Sequence, residues 1–176
     1  MASKTIYVYE NWSFETPALL GCLYVDFFKN REHFAFEYNH DWLRNADRRF
    51  VLDPDLSLYN GRQYTPMNKN IFGLFSDSCP DRWGRMLMKR REAIIAKKEE
   101  RKPRTLNESD FLLGVYDEAR MGALRFKLEE TEKFLSYDKD LATPPWVTLR
   151  NLEYDLVITG RQAIDGDTAQ VGPQIA

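Results

Sequence analysis

Ser76-Asp77-Ser78-Cys79-Pro80-Asp81-Arg82-Trp83-Gly84-Arg85-Met86-Leu87-Met88-Lys89-Arg90-Arg91 is the stretch whose reading decides the fold. Ser78 or Cys79 can cap a helix here, Pro80 has no N–H to leave unpaired in a first turn, and Asp81 complements the positive helix end. The helix is expected to run to about Lys102, where Lys97, Lys98, Arg101 and Lys102 favour the negative end and Pro103 stops it. Trp83, Met86, Leu87 and Ile94 recur along it at steps of three, four and seven, the spacing of a stripe packed on a sheet.

Upstream of that helix the pattern is one of strands. Ile6-Tyr7-Val8-Tyr9 and Leu19-Leu20-Gly21-Cys22-Leu23-Tyr24-Val25-Asp26-Phe27 are rich in β-branched and aromatic residues. Phe34, Phe36 and Tyr38 alternate with Ala35 and Glu37, and Asn30 in the gap suits a turn, so the second and third strands form a hairpin. Asn39 or His40 opens a short helical turn that puts Trp42 and Leu43 on the core side. Asp53 to Asn70 is an ordered surface excursion with a tight turn at Asn60-Gly61, and Ile71-Phe72-Gly73-Leu74-Phe75 returns to the core.

Downstream, Thr105 and Glu108 have the spacing of a capping box in front of a short helix, Phe111-Leu112-Leu113, ended by Gly114. Gly122 to Leu128 alternates Leu124, Phe126 and Leu128 with Arg125 and Lys127, a half-buried strand, and Glu129 to Pro145 is polar and loop-like. The expected fold class is α+β, an antiparallel sheet with a long basic helix and a short helix packed on it.

The bulk properties limit what such a fold can do. A chain of 176 residues, 43% hydrophobic and 14% aromatic, holds one domain with a real core, or one domain plus a short appendage. Its formal net charge of −2 gives no global attraction to nucleic acid or anionic membrane, so such binding needs a local patch. Residues 82–104 form one, with ten Lys or Arg against Glu92, Glu99 and Glu100. A phosphate-backbone contact is one reading of it, but Glu92 and Glu99 can form helical ion pairs, which favours a solvated, ion-paired face. Cys22, Cys79, His33 and His40 have no metal-ligand spacing and read as structural groups in a reducing cytoplasm. No apolar run approaches the length of a membrane span.

Five motifs in order then invite a comparison: Phe72-Gly73-Leu74-Phe75, Pro80-Asp81-Arg82-Trp83-Gly84-Arg85, Asp110-Phe111-Leu112-Leu113-Gly114-Val115, Arg120-Met121-Gly122-Ala123-Leu124-Arg125-Phe126, and Pro144-Pro145-Trp146. Through residues 1–153 the chain resembles the N-terminal subdomain of HipA-type toxin kinases. The resemblance implies a cytoplasmic, bacterial toxin–antitoxin setting and a protein-interaction role, with a HipA-type serine/threonine kinase core or a helix-turn-helix antitoxin as partner. It also implies that the kinase residues lie C-terminal to this subdomain, so the chain as given is expected to be inert as a kinase. Split versions of the family add a reading as a free-standing, antitoxin-like inhibitor of a separate kinase. Trp83, Arg82 and Arg85 are the candidate partner-binding residues, and Trp83 has two readings, a core aromatic on the inner helix face or an exposed docking anchor.

Residues 154–176, Tyr154-Asp155-Leu156-Val157-Ile158-Thr159-Gly160-Arg161-Gln162-Ala163-Ile164-Asp165-Gly166-Asp167-Thr168-Ala169-Gln170-Val171-Gly172-Pro173 and onward, follow a different pattern. They resemble the signature of electron transfer flavoprotein beta subunits, and this implies an adenine-nucleotide contact, AMP or the adenylate part of FAD. Gly160, Gln162, Asp165, Gly166, Asp167, Gln170 and Gly172 are the candidate residues. The glycines let a backbone approach a phosphate at a helix start, but so short a segment needs neighbouring parallel strands to make a site. The change of pattern near Glu153 reads as a junction: a gene fusion, a truncated reading frame or an assembly artefact, with an appended edge strand as the structural alternative.

Overall fold

A computed structural model describes residues 3–12, 16–29, 31–45, 51–115, 117, 120, 122–131 and 133–134. Three strands come first, β1 (Ser3–Glu10), β2 (Ala18–Phe28) and β3 (Arg31–Tyr38), each pairing antiparallel with the next. Helix α1 (His40–Arg44) follows, capped by the Asn39 side chain, which accepts from the N–H groups of Asp41 and Trp42. Then come β4 (Gln63–Tyr64), α2 (Gly73–Asp77), α3 (Arg82–Lys98), α4 (Glu108–Leu113) and β5 (Leu124–Lys127). The sheet order is β4-β3-β2-β1-β5, antiparallel throughout, so the expected α+β class is what the chain adopts.

The strands alternate because one face of the sheet is covered. Ile6 and Val8 of β1, Leu20, Leu23 and Val25 of β2, Phe34, Phe36 and Tyr38 of β3, and Leu124 and Phe126 of β5 all point to the covered face and are buried. Gly21 lies in an inner row between Val8 and Tyr38. A Cβ there would come within 2.7 Å of Phe36 Cζ and 2.2 Å of Glu37 O, so the ring of Phe36 takes the space a side chain would need. Phe75 of α2 lies 5.3 Å from the Phe36 ring and 6.4 Å from Phe126, and Trp42 of α1 stacks on Tyr38 at 5.3 Å.

Polar groups fasten the loops to this core. Asp53 is 2% exposed, and its carboxylate accepts from the N–H groups of Asp55 at 2.8 Å and Leu74 at 2.6 Å. With Leu56 buried beside it, the 53–70 excursion is pinned at its start to the first turn of α2. Arg120 makes a second fastening. Its guanidinium donates to Ser78 O (3.1 Å) at the end of α2, to Leu112 O (2.8 Å) in the last turn of α4, and to Val115 O (3.2 Å). A cation at two helix C-termini meets carbonyls that have no partner within their own helix, and its plane lies 4.5 Å from the Phe126 ring centroid.

Several local expectations are corrected. The cap of α3 is Asp81, whose side chain accepts from Gly84 N at 2.7 Å, so Pro80 precedes the cap rather than opening the helix. The helix ends at Lys98, short of Lys102, and Glu100 takes a positive φ of 52° as the chain turns back. The capping box of α4 is Asn107 with Asp110, not Thr105 with Glu108, and Glu108 is drawn instead to Arg85. Leu128 lies past the end of β5 and is 37% exposed. The expected turn residue Asn30 and the motif at 144–146 fall outside the described residues.

Candidate functional site

Helix α3 carries seven Lys or Arg in its 17 residues and only Glu92 as an acid. How it is turned decides which of these residues meet solvent. At 3.6 residues per turn, Arg85, Met88, Glu92 and Ala96 share one face, and that face is the inner one, with Ala96 at 0% and Glu92 at 8% exposure. Arg85 forms a two-pronged pair with Glu108 of α4, Nη1 to Oε1 and Nη2 to Oε2, both 2.8 Å, and donates through Nε to Pro80 O at 3.2 Å. Its guanidinium also lies 4.7 Å from the centroid of Phe111. The hydrogen bond to Glu108 holds the Arg85 guanidinium above its ordinary range.

The other end of the inner face is an acid among cations. Glu92 accepts from Arg101 Nη1 at 2.5 Å and from the backbone N–H of Arg104 at 3.0 Å. Those two hydrogen bonds, the Arg101 side chain first, hold its carboxyl down at about 2. Between these pairs, a Cβ on Gly114 would meet Met88 Cε at 2.2 Å and Asp110 O at 2.9 Å, so α3 and the end of α4 approach where glycine leaves room.

The outer face follows by elimination. Trp83 is 44% exposed and Ile94 59% exposed. Of the stripe that spacing alone assigns to the sheet, Trp83 and Ile94 are therefore turned to solvent while Met86 and Leu87 are half-buried, and Trp83 is an exposed rather than a core aromatic. Trp83, Leu87 and Ile94 fall within about 40° of arc, roughly opposite Glu92. Arg90 and Lys97 flank them on one side and Lys98 on the other, all three exposed. Among the sequence candidates, Arg82 and Trp83 lie on the exposed side of the first turn, whereas Arg85 is half-buried and committed to Glu108.

Elsewhere the chemistry is that of packed groups. Burial pushes the Cys79 thiol up to about 12 and raises Cys22 as well, so neither is an activated thiolate. No group of His, Cys, Asp or Glu among the described residues could hold a metal ion. No helix among them is long and apolar enough to cross a membrane. Gly160, Gln162, Asp165, Gly166, Asp167, Gln170 and Gly172 lie outside the described residues. The described strand pairs are all antiparallel. Sequence reading missed Glu92, Asp53 and Arg120 as organising groups. The isolation of Glu92 in a basic run was the one available signal.

The class defined by fold and surface is an α+β domain with a basic, partly apolar helix face turned to solvent. Comparison with known proteins adds a likeness of a different kind. The chain is 71% identical over 28 residues to the electron transfer flavoprotein subunit beta of Clostridium acetobutylicum, covering 16% of this chain and 11% of that protein. The same figures hold for the subunit from Thermoanaerobacterium thermosaccharolyticum. It is 41% identical over 68 residues to the Megasphaera elsdenii subunit, covering 39% of this chain and 20% of that protein. The chain thus spans between about a tenth and a fifth of the length of these relatives. No family model matches the chain, and no solved structure matches it.

Proposed function

We propose that the chain acts by contact, as a protein-interaction module whose docking surface is the outer face of α3. The observation that carries this is the exposed Trp83, 44% accessible on a helix whose opposite face is already occupied. Large aromatics flanked by Arg are the usual anchors of protein interfaces. The resemblance of residues 1–153 to HipA-type N-terminal subdomains names the partner class, a HipA-type kinase core, toward which the chain serves as a subdomain or as a free-standing inhibitor. A helix-turn-helix antitoxin is the other partner that resemblance implies. Titrating the full chain onto a HipA-type kinase core that lacks its own N-terminal subdomain tests this. A complex weakened at least tenfold by Trp83→Ala is expected, and absence of a complex, or equal binding by both proteins, overturns the reading.

A second reading is favoured by the curated matches: residues 154–176 belong to an adenine-nucleotide contact like that of an electron transfer flavoprotein beta subunit, with AMP or the adenylate of FAD as ligand. The match lengths take the likeness beyond that segment, since 28 residues ending no later than Ala176 begin no later than Leu149. Calorimetry with AMP, ADP and FAD tests it. Binding that disappears when residues 154–176 are deleted supports the contact, and binding absent or unchanged by that deletion removes it.

A further inference from the structure

We infer that the occupant of the α3 outer face is an acidic amphipathic helix of a protein partner, an inference that rests on the contact reading above. Trp83, Leu87 and Ile94 follow one another at i, i+4 and i+11, with the cations Arg90 and Lys97 alongside at i+7 and i+14. That is the seam by which one helix lies along another, with apolar anchors down the middle. From Trp83 to Lys97 the seam is about 21 Å long, enough for nearly four turns of a partner.

The charge around the seam has one sign. Arg90, Lys97 and Lys98 are exposed and form no ion pair within the described residues, while the helix's only carboxylate, Glu92, is on the opposite face and bound to Arg101 and Arg104. A partner helix with Asp or Glu on both sides of its apolar positions would place carboxylates beside these three cations and apolar side chains against Trp83, Leu87 and Ile94. A basic partner helix would be repelled at each flank. A phosphate backbone would satisfy the cations but would leave Trp83 and Ile94 without apolar contact. The whole chain's net charge of −2 adds no long-range pull toward polyanions.

The test uses the full chain, ¹⁵N-labelled, with the Trp83 indole N–H assigned through Trp83→Phe. One probe is a synthetic helical peptide with Leu at i, i+4, i+7 and i+11 and Glu on both flanks. The second is the same peptide with Gln in place of every Glu. A short DNA duplex and phosphatidylserine-containing vesicles complete the set. The acidic peptide is expected to shift the Trp83 indole and the amides of Leu87, Arg90 and Ile94. Ile94→Glu, or Arg90→Glu with Lys97→Glu, should weaken it at least tenfold while far-UV circular dichroism stays unchanged. Equal or tighter binding of the Gln peptide at the same residues overturns the acidic partner and leaves the contact reading standing. Tighter binding of duplex or vesicle at those residues overturns the inference in favour of that class. If no probe shifts these resonances the inference fails, and the kinase-core titration decides the broader reading by itself.

Discussion

Replacing Arg120 by Leu should destabilise the domain by an amount that follows from its surroundings. The substitution removes donors from Ser78 O, Leu112 O and Val115 O. A buried acceptor left unpaired costs about 1–3 kcal/mol, so three of them, one partly solvated, come to roughly 4–6 kcal/mol. Against this stands the burial of the charge. Desolvation lowers the Arg120 guanidinium to about 10 despite the nearby Asp117. At 1.36 kcal/mol per pH unit, that fall from the ordinary 12.5 is a penalty of about 3 kcal/mol, which Leu would relieve. The difference, a net loss of about 1–3 kcal/mol, should lower the urea midpoint by roughly 0.5–1.5 M if the slope is about 2 kcal/mol/M. Circular dichroism across a urea series measures it directly. A companion readout is hydrogen exchange at the amides of the last turn of α4, which should lose protection before the β2–β3 hairpin does. An unchanged or higher midpoint for Arg120→Leu would refute the assignment of this guanidinium as a net stabilising clamp between α2, α4 and β5.

Trp83→Ala should change stability by less than about 1 kcal/mol, whereas a core aromatic would lose about 3–5 kcal/mol; thermal unfolding of the two proteins distinguishes the cases. The Tyr38 hydroxyl is buried with no hydrogen-bond partner among the described residues, and burial, with Asp53 second, pushes it up to about 12. Tyr38→Phe is therefore expected to be neutral or stabilising by up to about 1 kcal/mol, and a clear loss in urea unfolding would contradict the packing described. Glu92 ionises well below an unfolded glutamate, so its link to Arg101 and Arg104 supports the fold fully above about pH 4.5 and is lost as pH falls toward about 2. Carboxyl-detected NMR should place its midpoint far below those of exposed glutamates, and Glu92→Gln should flatten the acid limb of the stability curve.

The sheet was readable from sequence because its strands are covered on one face, which writes an alternation into Ile6 to Glu10 and Phe34 to Tyr38. The local chemistry of Asn39 placed α1 for the same reason: the cap lies within three residues of what it caps. The position of α3 was legible, but its rotation was not. Periodicity selects Trp83, Met86, Leu87 and Ile94 as the buried stripe, of which Trp83 and Ile94 are exposed, whereas the actual inner face is held by Arg85 to Glu108 and by Glu92 to Arg101 and Arg104. Those pairs form only after the chain has turned back at Glu100, a left-handed residue that nothing in a Lys- and Glu-rich run announces. The capping box shifted for a related reason, since Arg104 takes one oxygen of Asp110 while the other accepts from the Asn107 N–H. Arg120 was invisible as a clamp because its acceptors come from two places far apart in the chain, Ser78 and the turn from Leu112 to Val115.

The place of β5 in the sheet has a consequence for how the protein is made. β1 is an inner strand only because Tyr7 to Glu10 pair with Leu124 to Lys127, which leave the ribosome far later. At roughly 5–20 residues per second, that edge of β1 is open for on the order of ten seconds while β2 and β3 are already available on its other side. For that interval the nascent meander presents unpaired backbone donors and acceptors beside Tyr7 and Tyr9, the kind of edge that recruits foreign strands. Mutations that loosen β5 would then act first on the yield of soluble protein, and only second on the stability of chains that have folded.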